Sequence, residues 1–294
     1  MKEYLEYYVI KLFLWLAKVI PRPFIYSVVK GMTHLAYYLD IKRRHLTIKN
    51  LSMAFPEKTD EEIVLLSKDV YTQLSITISE ILFMFVEKFD VDKAIINYQE
   101  AKKKLQDILK ESPRGVIVVT AHFSNWELAA HFLAKNGLPM LAIGRKGNNR
   151  LIDTNITTPF REKYGNQSVS KKKAMLAMIK RLKSAGNVGL LIDQKSGHLN
   201  SAKVDFFGKP AETTLSVASL KLKFDPLVVP IFILRQGNGL YKMIINSPID
   251  YSANEIEEKE KRLEAMTQKY NNTIEEIIRQ YPSQWFWMHN RWRI

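Results

Sequence analysis

No cysteine occurs among the 294 residues, which removes disulfides, thiolate metal ligands, a thiol nucleophile and thiol redox chemistry together. The G-x-S-x-G elbow of serine hydrolases is absent, as are the phosphate-binding G-x-x-x-x-G-K-[ST] and the dinucleotide fingerprint G-x-G-x-x-G. H-E-x-x-H is missing too, and His34, His45, His131, His198 and His289 show no metal-ligand spacing. No metal and no cofactor are therefore expected. A clean bilayer-length run is also lacking. Residues 4 to 20 are strongly apolar but carry Glu6, Lys11 and Lys18 and stop at Pro21 and Pro23, whereas a spanning helix needs about 20 mostly apolar residues. No small-residue cleavage site follows them. These residues read as an uncleaved anchor at an interface, with a single spanning helix as the other option.

What the chain has in excess is positive charge. A formal net charge of +14 calls for an anionic partner: nucleic acid, anionic headgroups or an acidic carrier. The basic residues lie among apolar and aromatic runs such as Tyr4 to Ile10, which favours a bilayer surface, and no nucleic-acid-binding motif is present. Over residues 1 to 50, Lys and Arg outnumber Asp and Glu nine to three, a bias that suits an anionic cytoplasmic leaflet. A non-enzymatic basic protein that binds membranes or nucleic acid is the reading from a different class.

The pattern divides the chain into an N-terminal membrane-associated helical region, residues 1–58, and an α/β domain, residues 59–294. Residues 60 to 88 show helical spacing, with Asp60 as a candidate cap. From Gly115 onward, apolar runs at 116 to 120, 139 to 143, 188 to 192 and 227 to 234 alternate with helical stretches at 125 to 136 and 171 to 185. Such runs predict a central mixed sheet flanked by helices. Gly237-Asn238-Gly239 predicts a hairpin turn into the next strand. Residues 254 to 280 read as a long surface helix, and the chain closes on an aromatic tail.

The segment GVIVVTAHFSNWELAAHF carries the chemistry. Its strand ends at His122 and a helix starts a few residues later, so His122 stands at the carboxyl end of a strand, where ligands bind in open α/β sheets. Glu127, in the first helical turn, is favoured by the helix dipole. A neutral imidazole can take a proton from a hydroxyl near pH 7, and a carboxylate on its other nitrogen would fix the tautomer. Ser124-Asn125-Trp126-Glu127 also matches the capping box S-x-x-E, so a purely structural role for Glu127 stands beside the catalytic one. Asp193 and Gln194 end another predicted strand and face the same rim, as substrate-positioning residues or as turn formers.

T-A-H-F-S-N-W-E-L-A, I-G-R-K-G-N-N-R, L-L-I-D-Q, V-D-F-F-G-K-P-A-E-T-T, V-V-P-I-F-I-L-R and the closing W-x-W-x-H-x-R-W occur in that order. Together they resemble the bacterial lipid A biosynthesis acyltransferases, relatives of the glycerophospholipid acyltransferases, over nearly the whole chain. The resemblance implies an O-acyltransferase in which His122 and Glu127 form a catalytic dyad, and in which Arg145 lines the site. Asn149 and Arg161 are further substrate-binding candidates, beside Asp193 and Gln194. It implies an acyl carrier protein thioester as donor and a phosphorylated glycolipid as acceptor, a lipid A precursor of the Kdo-lipid IVA type with a hydroxyacyl chain. The expected location is the cytoplasmic face of a bacterial inner membrane, peripheral or held by one N-terminal anchor. A lysophospholipid or another glycolipid is the alternative acceptor. The Phe206 to Pro210 segment is expected as a loop beside the acyl chain, and Trp285, Trp287 and Trp292 at headgroup level or in the core.

Overall fold

The computed structural model describes residues 1–144, 147–170, 173–197, 200–237 and 239–293. Five helices come first: α1 (Lys2–Val19), α2 (Arg22–Leu39), α3 (Ile41–Ala54), α4 (Asp60–Phe85) and α5 (Tyr98–Glu111). The first helix stops where Pro21 removes a backbone donor, and Pro23 sits in the first turn of the second, where a missing N–H costs nothing. Helix α4 is capped by Thr59 instead of Asp60: Thr59 and Glu62 form a reciprocal capping box, and Asp60 follows as the first helical residue.

The α/β portion then runs β1 (Val116–Thr120), α6 (Trp126–Lys135), β2 (Met140–Gly144), α7 (Arg150–Ile152), a π-helical turn (Asp153–Thr157), α8 (Thr158–Glu162) and β3 (Gln167–Ser170). It continues with α9 (Ala174–Lys183), β4 (Asn187–Leu191), β5 (Ser201–Phe206), β6 (Lys209–Thr214), α10 (Ser216–Phe224), β7 (Leu227–Gly237), β8 (Leu240–Ile245) and α11 (Lys259–Gln280). Six strands form one sheet in the order β3-β2-β4-β1-β7-β8, parallel except for the antiparallel β7-β8 edge. The expected α/β architecture, a central sheet flanked by helices, is observed, and the sheet is mostly parallel with one antiparallel edge. Asn238, in the expected hairpin turn between β7 and β8, lies outside the described residues.

Both faces of the sheet are buried, which explains why its strands read as continuous apolar runs. Along β1, Ile117 and Val119 point into one core, with α4, α9, α10 and α11, while Val116 and Val118 point into the other, with α5 and α6. Gly115 opens β1 at φ +83°, and a Cβ there would meet the Gly186 carbonyl oxygen at 2.4 Å, so the position demands glycine.

Two aromatic expectations resolve into packing. Phe206 to Lys209 form a β-hairpin, with Phe207 and Gly208 both in the left-handed region as a type I′ turn requires. Phe206 and Phe207 are buried against Trp285, Trp287 and Trp292. Trp285 and Trp287 are fully enclosed core residues; only Trp292 is half-exposed. Helix α11 is likewise only half a surface helix, because Leu263, Met266, Tyr270, Ile274 and Ile277 repeat at helical spacing against the core.

A buried ionic network fixes α4 to the sheet edge. Arg235 on β7 meets Glu80 at 3.4 Å, Thr77 at 2.7 Å and Gln73 at 2.6 Å, and its Nε donates to the Tyr241 hydroxyl, which itself donates to Glu80. Neither ion has meaningful solvent contact. Removing one partner strands the other charge in the core, whereas removing both leaves only the neutral polar groups of Gln73, Thr77 and Tyr241. Arg235→Met is therefore expected to lower unfolding free energy by about 3–5 kcal/mol, and Glu80→Leu with Arg235→Met to recover most of it, as read from urea titrations.

Candidate active site

His122 and Asp193 meet because two parallel strands stop in register. Thr120 of β1 pairs with Leu191 of β4, and continuing that register by two residues brings 122 opposite 193. The Asp193 carboxylate is completely buried and receives three donors. His122 Nδ1 lies at 2.9 Å from Oδ1, while the His122 backbone N–H and the Trp285 indole N–H donate to Oδ2 at 2.9 and 2.8 Å. Burial alone raises a carboxyl pKa, but the His122 ring and these hydrogen bonds outweigh it and hold Asp193 below the ordinary carboxylate range. A permanent anion on Nδ1 fixes a proton there and stabilises positive charge on the ring. The His122 side chain keeps 27% exposure, so its outer edge can meet a substrate.

Glu127 occupies a different ion pair. The N-cap of α6 is Asn125, whose side chain accepts from the Leu128 N–H at 3.1 Å, so the Ser124 capping box is not formed. Glu127 is free of that duty, and its carboxylate is gripped by Arg161: Nη2 at 2.7 Å and Nε at 3.1 Å from Oε1. Burial pulls the Arg161 pKa down, the Glu127 carboxylate pushes it up, and the net shift is upward. The position expected of Glu127, on the imidazole Nδ1, is taken by Asp193. Arg161, expected as a substrate contact, is engaged by a protein carboxylate.

The other expected residues divide. Asn149 caps α7 by accepting from the Leu151 and Ile152 N–H groups, and its amide donates to Glu3 and Glu6 of α1, both at 2.8 Å. Gln194 is half-buried in the bend after Asp193. Arg145 lies outside the described residues, as does His198. Among the described residues, no group of His, Asp and Glu is arranged to hold a metal.

Sequence reasoning missed the C-terminal segment as part of the site. Phe286 donates its N–H to the His122 carbonyl at 3.1 Å and Ser124 donates to the Gln284 carbonyl at 2.7 Å, which clamps the loop after β1. Helix α3 holds that segment in turn through Asn50, whose amide donates to the carbonyls of Trp287 and His289. The signal available in sequence was the W-x-W-x-H-x-R-W string itself. A narrow cleft of about 20 Å³ separates the segment from α4 beside His122; its walls include Leu74, Trp126 and Phe286. Ser124 borders it at φ +52°, with a buried hydroxyl that has no partner among the described residues; a non-glycine residue held in that region stores about 1–3 kcal/mol.

A family model for bacterial lipid A biosynthesis acyltransferases matches residues 1–294. The chain belongs to that family. It is 26% identical over 283 residues to the lipid A biosynthesis lauroyltransferase of Escherichia coli (strain K12), covering 95% of this chain and 89% of that protein. It is 24% identical over 292 residues to the lipid A biosynthesis palmitoleoyltransferase of the same strain, covering 95% and 88%. Lipid A biosynthesis acyltransferase 2 of Shigella flexneri is 24% identical over 250 residues, covering 84% and 76%.

In this acyltransferase-family chain, His289 lies near the His122–Asp193 pair. Its Nε2 accepts from the Lys195 N–H at 2.9 Å. Burial is the main cause; with Arg291, His122 and Arg43 acting in the same direction, it outweighs the pull of Asp193 and brings the His289 pKa down to about 4. An unfolded histidine titrates near about 6.5, so between that pH and about 4 the unfolded chain binds more protons and stability falls as pH falls. His289→Gln, which keeps an acceptor for Lys195, is expected to flatten stability against pH across that window in denaturant midpoints. An unchanged slope would remove His289 as the cause.

Proposed function

We propose that the protein transfers a fatty acyl chain from an acyl carrier protein thioester to the hydroxyl of a hydroxyacyl chain on a phosphorylated lipid A precursor of the Kdo-lipid IVA type. The observation that carries this reading is the imidazole of His122 bound through Nδ1 to a buried, ionised Asp193 at the carboxyl end of the sheet. In the proposed step, His122 Nε2 takes the hydroxyl proton while the oxygen attacks the thioester carbon. The tetrahedral intermediate then collapses, the carbon–sulfur bond breaks, and the imidazolium returns the proton to the leaving thiolate. Asp193 stabilises the imidazolium. Glu127 and Arg161 act as a unit on the same rim: the carboxylate orients the guanidinium, and the guanidinium steadies the oxyanion or an anionic group of a substrate. The cleft beside His122 has room for about one water, so an acyl chain requires α4 and the C-terminal segment to part.

The N-terminal region, residues 1–58, is proposed to dock on the cytoplasmic face of the inner membrane. Among the described residues no helix is long and apolar enough to cross a membrane. Leu5, Tyr8, Leu12, Trp15 and Val19 of α1 are exposed at helical spacing, and Phe24, Val28, Met32, Leu35 and Leu39 form the same kind of stripe on α2. Two uncovered apolar stripes in a basic segment suit an anionic lipid surface.

Purified protein assayed with defined carrier-bound acyl donors and with glycolipid or lysophospholipid acceptors tests the reaction. His122→Ala is expected to be inactive, and Asp193→Asn to lose on the order of 10³–10⁴ in kcat, as an orienting carboxylate does. Glu127→Gln is expected to stay folded and be nearly inactive. Wild-type activity in Asp193→Asn, or transfer to lysophospholipid in place of the glycolipid, would reject the assignment. Deletion of α1 is expected to abolish sedimentation with vesicles containing anionic lipid.

A further inference from the structure

A second pocket, of about 330 Å³, lies one helical turn along α6 from Glu127 and is bounded by the start of α2, the end of α4 and the residues just after α8. That volume falls in the range of small-molecule sites, about 300–1,000 Å³. At its wall is His131, four residues after Glu127 and therefore on the same helix face. His131 is 2% exposed, with its ring against Phe160 and Tyr164 at 4.6 and 5.3 Å between centroids. Its Nε2 has no hydrogen-bond partner among the described residues. The ring also bonds the Phe160 backbone, and burial is the main cause that lowers its affinity for a proton. A neutral ring with Nδ1–H bound to a carbonyl offers a lone pair at Nε2, which suits a ligand hydroxyl.

Around this acceptor stand four cations, Arg22, Lys88, Lys135 and Lys163, against two carboxylates, Glu87 and Asp90, for a formal excess of two positive charges. Lys163 meets Glu87 at 2.6 Å and Lys135 meets Asp92 at 2.5 Å. Lys88 instead caps the end of α1 by donating to the Ala17 and Ile20 carbonyls, and Arg22 lies over the Phe83 ring. Neither of those contacts supplies a negative charge. A phosphate monoester carries about −1.5 to −2 at neutral pH, which matches the excess.

We propose that this pocket is a binding site for a phosphorylated sugar, with the phosphate among Arg22, Lys88 and Lys163 and a sugar hydroxyl donating to His131 Nε2. The identification of that sugar as the headgroup of the acyl acceptor rests on the function proposed above; the site itself does not. Arg22, just after the α1–α2 junction, lines it, so a headgroup held here would leave its chains beside the two exposed apolar stripes.

The test uses the full chain without acyl donor. Calorimetry with glucose 1-phosphate, inorganic phosphate, glucose and 4′-phosphopantetheine is combined with nitrogen NMR of labelled histidine. Glucose 1-phosphate is expected to shift His131 Nε2 and to bind at least about tenfold tighter than the other three. His131→Phe, which keeps the ring stacking, is expected to reduce glucose 1-phosphate to the level of inorganic phosphate, and Lys163→Ala to weaken both. Equal binding of inorganic phosphate and glucose 1-phosphate would overturn the proposal, as would tighter binding of 4′-phosphopantetheine. So would an unmoved His131 Nε2 in the wild-type protein, a readout that does not depend on any variant folding. Acyl transfer persisting without sugar-phosphate binding overturns the pocket and leaves the reaction; binding without transfer upholds the pocket and rejects the reaction.

Discussion

The arrangement depends on a carboxylate kept ionised although bulk solvent does not reach it. Asp193 has no solvent exposure, and an isolated carboxylate in such a place would take up a proton. Three N–H donors prevent this, two of them from one residue, His122. Each donor requires a different part of the fold. The backbone N–H and ring of His122 need β1 and β4 parallel and in register, and the Trp285 indole needs the last residues of the chain folded back beneath the sheet. The anion explains why the C-terminal segment is pinned by α3 and bridged to the loop after β1. Loss of any of these supports would leave a buried charge short of donors.

The Glu127–Arg161 pair is distinct from the Asp193–His122 pair, although one H-x-x-x-x-E string suggests a single dyad. Asp193 orients the imidazole; Glu127 orients a guanidinium. The helix that carries Glu127 also carries His131, so the rim and the second pocket share one rigid element. Helix α4 forms a wall of both cavities, and the Glu80–Arg235 network ties it to β7.

Much of the sheet was legible because its causes are local. The run VIVVT is β1 residue for residue, and the apolar stretches near 140, 188 and 227 became β2, β4 and β7 within a few residues. Strands β5 and β6 gave little warning: KVDFFGKPAE alternates charged and apolar residues around a turn that only Phe207 and Gly208, both at positive φ, make. The closing tryptophans were ambiguous for a similar reason, since an amphipathic ring is equally at home in an interface and in a core.

Alone, the sequence determined which residue types were available: a histidine at a strand end, a carboxylate in the first turn of the next helix, another carboxylate after a later strand, and no thiol. It also determined the α/β class, through periodicities set by the backbone itself. Which carboxylate met the imidazole was decided only by tertiary structure. Asp193 is 71 residues from His122 and Trp285 a further 92 beyond Asp193, and such distances are closed by strand register and core packing, which no local pattern carries. The nearer candidate, Glu127, was drawn away because α8 set a guanidinium against it at 2.7 Å, a stronger partner for a buried helix-start carboxylate than a neutral ring already bound elsewhere.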